Sequence, residues 1–202
     1  SVVTTDGQET VRIPNAQGKG LKSFKFSGCF DDTSTQEDVF KQSQDLIQSV
    51  FDGYNVCIFA YGQTGSGKTF TMEGIPEDRG INYRALDKIF DIIEQRSKDF
   101  ESTVSISLLE IYNEMVRDLW NPSSGALSIR EYPPGYWRGF YVEDLYIFEC
   151  TNVDDMLFML TEGMRHRAVG SHNLNKDSSR SHSMLTFYLE SEEEVDSDPY
   201  VK

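Results

Sequence analysis

Three observations predict an α/β fold with helices on both faces of a central sheet: strand-like and helix-like segments alternate, a glycine-rich loop follows a short apolar run, and 202 residues at 38% hydrophobic content suffice for one sizeable core. The loop, Gly62-Gln63-Thr64-Gly65-Ser66-Gly67-Lys68-Thr69, is a full match to G-x-x-x-x-G-K-[ST]. A polyphosphate is held by converging backbone N–H groups, and glycines let the main chain approach it closely. Lys68 adds a mobile charge for the terminal phosphates, and the Thr69 hydroxyl is suited to ligate Mg²⁺.

The elements follow in order. Asp6-Gly7 between Val2-Val3 and Val11-Arg12-Ile13 is a hairpin signal, and residues 23–27 alternate as a strand does. Ser34-Thr35-Gln36-Glu37 reads as a capping box opening a helix whose stripe is Val39, Phe40, Leu46, Ile47, Val50 and Phe51. Gly53 ends that helix. Residues 56–60 predict a buried strand, with Cys57 as a buried, reduced thiol inside it. After the loop a helix is expected from Thr69, its N-terminal dipole favouring phosphate. Residues 74–80 interrupt it, and a second helix runs from Tyr83 to about Glu94. Val104, Ile106 and Leu108 mark a strand, 121–125 and 132–135 are loops, and 140–145 are strand-like. Asn152 caps a helix whose Met156 and Met164 read as core filler, and 184–189 close the series as a buried strand. No internal repeat is visible.

Composition narrows the function. A net charge of −14 argues against nucleic acid or an anionic membrane as the main partner, because binding there needs clustered cations. Residues 190–198 place six carboxylates in nine positions, a run expected to be a solvated loop. No stretch of 18 apolar residues exists, no signal peptide is visible, and three widely spaced cysteines suit a reducing, intracellular compartment. His166, His172 and His182 lack the spacing of a zinc site.

A second polar segment, Asn175-Lys176-Asp177-Ser178-Ser179-Arg180-Ser181-His182, reads alone as a serine-rich loop; beside a phosphate loop it becomes a candidate γ-phosphate sensor. Together with residues 59–74 and Leu109-Glu110-Ile111-Tyr112-Asn113-Glu114, it closely resembles the kinesin motor domain, whose switch I pattern is N-x-x-S-S-R-S-H. The resemblance covers nearly all of residues 1–202. It implies a P-loop NTPase fold of kinesin type, with a central, mostly parallel sheet. It implies ATP and Mg²⁺ as ligands: Gly62 to Thr69 around the phosphates, Phe70 near the adenine, Thr69 and Ser179 on the metal, Ser178 and Ser179 toward the γ-phosphate. Asn175 and Arg180 would belong to the water-positioning and switch latch. The partner implied is the microtubule and the location the cytoplasmic cytoskeleton, without membrane insertion, with a homodimer formed through segments outside this chain.

The departures from the family pattern matter too. The R-x-R-P segment and the switch II motif D-x-x-G-x-E are absent from residues 1–202, so the chain is expected to be part of a motor domain, incomplete at both ends and inactive alone. The P-loop strand would then lack sheet neighbours. The alternative is a kinesin-like non-motor protein with a structural or regulatory nucleotide- or filament-binding role. An intact D-x-x-G-x-E beyond Lys202 discriminates the two.

Overall fold

The computed structural model describes residues 3–193 apart from 17, 19, 99, 136–138 and 174–180, with backbone only at 168–173 and 193. The chain divides into two compact units, Ser1–Ala85 and Leu86–Lys202.

The first unit opens with an antiparallel meander of β1 (Thr4–Thr5), β2 (Thr10–Pro14) and β3 (Leu21–Lys25). The Asp6 carboxylate closes its first turn, accepting the amides of Thr10 at 2.9 Å and of Gln8 and Glu9 at 3.1 Å. These bonds, that from Thr10 foremost, hold its carboxyl well below the usual range. Helix α1 (Gln36–Phe51) is capped one residue later than the sequence suggests. Thr35, in extended conformation, exchanges bonds with Asp38, while Ser34 is drawn to Asp31. Of the predicted stripe only Ile47 is fully buried, and Leu46 is 43% exposed.

The expected strand at 56–60 is not formed. Residues 54–62 have no ladder partner among the described residues, Cys57 is exposed rather than buried, and Phe59 is 77% exposed. An apolar run becomes a strand only where neighbours satisfy its amides and cover its faces. The loop continues into a single turn and a half of helix, α2 (Lys68–Met72). A tight hairpin of β4 (Gly74–Ile75) and β5 (Asp78–Arg79) follows, then α3 (Ile81–Arg96).

The second unit is built on β6 (Phe100–Tyr112). The strand β12 (Ser181–Glu193) pairs with its full length, Ser181 opposite Tyr112 and Glu193 opposite Phe100. Along the other edge of β6 lie β11 (Phe148–Cys150) and β7 (Met115–Asp118), with β8 (Ala126–Leu127) beyond β7. Asn113 and Glu114, both at positive φ (50° and 64°), make the two-residue turn from β6 to β7. A separate hairpin joins β9 (Ile129–Glu131) to β10 (Phe140–Val142). Helix α4 (Val153–Asn173) begins at Asn152, whose side chain accepts the Asp155 amide as predicted. Val104, Ile106, Leu108, Leu109, Met156 and Leu160 form the core.

Three expectations change here. Every pairing among the described residues is antiparallel, so the mostly parallel arrangement is not seen in them. The 184–189 segment is a strand but half-exposed, with Met184 49% and Tyr188 38% exposed, because described neighbours flank it on one edge only. Residues 190–193 of the acidic run lie in β12, not in a loop: Glu192 sits opposite Glu101, beside a Ser191–Ser102 hydroxyl bond of 2.9 Å. The remainder, 194–198, falls outside the described residues.

Candidate nucleotide-binding site

The first unit carries residues 62–70 together. Gly65 and Gly67 take the left-handed conformation (φ 77° and 91°), which a side chain would disfavour, and Gly67 is the N-cap of α2. A Cβ on Gly62 would collide with the Ser66 side chain, so the loop folds tightly over its own start. The Ser66 amide is taken up internally by the Gln63 carbonyl at 3.2 Å. Those of Gly65, Gly67, Lys68 and Thr69, in the loop and the first turn of α2, donate to no described backbone carbonyl. The Lys68 ammonium lies over the loop, donating to Gly62 O at 2.9 Å and Gln63 O at 2.8 Å. Neutral carbonyls leave its charge uncompensated, and no described carboxylate pairs with it. Thr69 is exposed. Backbone donors, one cation and one hydroxyl at a left-handed glycine turn fit a magnesium polyphosphate.

Two contacts fix the short helix behind this loop. The buried Gln36 side chain of α1, 4% exposed, donates its Nε2–H to the Phe70 carbonyl at 2.6 Å. On the far side the hairpin closes tightly: the Gly80 amide bonds Glu73 O at 3.0 Å, and a Cβ there would meet the backbone of Thr71 and Met72 at 2.6 Å. Arg84 clasps the same hairpin through Arg79 O at 2.8 Å and Asp78 at 3.2 Å. Phe70 itself is 48% exposed.

In the second unit, Asn175, Ser178, Ser179 and Arg180 lie outside the described residues, so the predicted latch around Arg180 does as well. What precedes and follows that segment is well anchored. Arg167 of α4 bridges Glu110 on β6 at 3.8 Å and the Ser181 hydroxyl at the start of β12 at 3.5 Å, in a largely buried setting. Below it, His166 Nδ1–H donates to Leu119 O at 2.7 Å and Trp120 Nε1–H to Met159 O at 2.8 Å. Gly163 permits this approach, since a Cβ there would strike Leu108 and the Trp120 ring. The buried Asp118 carboxylate, 1% exposed, accepts the amides of Trp120, Asn121 and Tyr146.

Sequence reasoning missed Gln36, Asp118 and Arg167. Asp118 two residues before Trp120 is an Asx-turn signal that could have found it; Gln36 and Arg167 act over long sequence separations and gave no local sign.

The family model for the kinesin motor domain matches residues 1–201. The chain is 46% identical over 187 residues to kinesin-like protein KIN-14Q of Oryza sativa subsp. japonica, covering 90% of this chain and 19% of that protein. It is 47% identical over 191 residues to kinesin-like protein KIN-14I of Arabidopsis thaliana, again covering 90% and 19%. A solved structure of a fast kinesin superposes with a TM-score of 0.86 at 35% identity, over 94% of this chain and 54% of that one. The chain thus spans about a fifth of the length of these curated relatives. With the phosphate loop and the surrounding fold in agreement, the chain belongs to the kinesin motor domain family.

Proposed function

We propose that this chain supplies the nucleotide-binding part of an ATP-driven microtubule motor. The observation that carries the reading is the head of α2, where backbone amides without a described backbone acceptor lie beside a Lys68 ammonium that, among the described residues, bonds the carbonyls of Gly62 and Gln63. In this reading Lys68 holds the β/γ-phosphates, Thr69 and Ser179 hold Mg²⁺, and Phe70 stacks on the adenine. Ser178 contacts the γ-phosphate, while Asn175 and Arg180 orient water and latch the segment. Bound Mg²⁺ would neutralise charge developing on the transferred phosphoryl group. The partner is the microtubule, and the protein acts in the cytoplasmic cytoskeleton, dimerising through segments beyond this chain.

The test is Lys68→Ala in the full-length protein, with a fluorescent-nucleotide titration and circular dichroism. Loss of one charge-assisted contact should weaken ATP by at least about tenfold with the spectrum unchanged. Unchanged affinity in the folded variant overturns the reading. Phosphate release by the unmodified protein should also rise when microtubules are added; a flat response would favour a non-motor role.

A further inference from the structure

Gln36 is one of only three buried polar or charged side chains in the described structure. The other two serve their own unit's framework: Ser107 bonds Tyr188, and Asp118 gathers three amides. Gln36 instead reaches from the first turn of α1 across 34 positions to the main chain of the phosphate-loop helix. The capping box of Thr35 and Asp38 sets the start of α1 and hence the root of this side chain.

The acceptor is significant. Within α2, Thr71 N bonds Gly67 O and Glu73 N bonds Thr69 O, but the next amide, Gly74, turns into the β4–β5 hairpin at φ 72°. The Phe70 carbonyl therefore loses the helical donor that continuation would have supplied, and Gln36 Nε2 takes that place. A helix of five residues has little stability of its own, so such a side-chain bond fixes its orientation. The residue so fixed is Phe70, whose ring is half-exposed beside the phosphate loop.

We propose that Gln36 is a positioning residue for nucleotide-base recognition: by holding the Phe70 carbonyl it sets the angle at which the Phe70 ring meets the base. It touches no ligand, and the proposal rests on the reading above, in which Phe70 faces adenine. The Phe70 carbonyl faces the C-terminal end of α2 while the amides at its head face the other way, so the bond bears on Phe70 more directly than on the phosphate-loop amides.

Competition binding in the full-length protein separates the parts. ATP is compared with magnesium tripolyphosphate, which carries no base, in wild type, Phe70→Ala, Gln36→Met and the double variant. Methionine keeps the volume of glutamine and removes the donor. Phe70→Ala should weaken ATP about tenfold with tripolyphosphate changed less than about twofold. Gln36→Met should weaken ATP by about fivefold, again sparing tripolyphosphate, and add nothing in the Phe70→Ala background. If Phe70→Ala leaves ATP unchanged, the stacking reading fails and this proposal with it. If Phe70→Ala behaves as expected but Gln36→Met leaves ATP unchanged, or weakens both ligands equally, Gln36 is a structural residue and the proposal alone is overturned. Should Gln36→Met not fold, Gln36→Leu, which also removes the donor, is read by the same ratio.

Discussion

Two apolar runs of this chain differ sharply. Residues 56–61 are wholly apolar and the centre of β6 is interrupted by Ser105 and Ser107, yet Phe59 and Tyr61 are 77% and 95% exposed whereas Ile106 and Leu108 are fully buried. The difference lies in what surrounds them. The β6 strand has β12 along one edge and β7 and β11 along the other, and α4 lies over Leu108 at Gly163. Among the described residues no strand pairs with 54–62. Hydrophobic composition states a demand for cover, and only neighbouring segments meet it.

The strongest way to break this contrast is to attack the framework around β6. Asp118→Ala strands three backbone amides in a buried place, which should cost about 4 kcal/mol in this chain. A denaturant melt would read it, and a loss under about 1 kcal/mol would mean that water substitutes for the carboxylate.

The direct comparison is next. Leu108→Ala should cost about 3 kcal/mol, while Phe59→Ala should cost less than about 0.5 kcal/mol in residues 1–202. Equal losses would show that 56–61 are covered in solution. Repeating Phe59→Ala in the full-length protein sharpens the point: a cost near that of Leu108→Ala there would identify sheet neighbours supplied by the rest of the protein.

The smallest perturbation leaves the fold intact. Burial, reinforced by the nearby Asp155 charge, pushes the Cys150 thiol up to about 11, whereas Cys57 is exposed. Two units above its ordinary value of 9.0 leave about a hundredfold less thiolate at pH 8, so a thiol reagent should label the exposed Cys57 first, and Cys150 at least about a hundredfold more slowly in the folded chain than in the unfolded one. The sign also fixes a pH trend. The unfolded thiol ionises before the folded one, so this contribution to stability is full below pH 9 and is lost as pH rises toward 11. Equal labelling of the two cysteines in the native chain would remove the burial difference.

The sequence alone determined whatever depends on residues close together in the chain. Gly65 and Gly67 are required by left-handed turns, Asn152 caps α4, and the apolar spacing of α3 and the alternation of β6 emerge where periodicity places them. The phosphate loop was legible for the same reason: its donors, cation and hydroxyl are consecutive. Tertiary structure decided what depends on distant partners. It left 56–61 unpaired, made the predicted buried strand at 184–189 a half-exposed one, drew Glu190, Glu192 and Glu193 into β12, and ran the described ladders antiparallel. It also moved the cap of α1 from Ser34 to Thr35, since Asp31 competes for Ser34. Gln36 illustrates the limit best. A glutamine at the start of an amphipathic helix carries no sign of its role, because the orphaned carbonyl it satisfies exists only once α2 has broken into its hairpin.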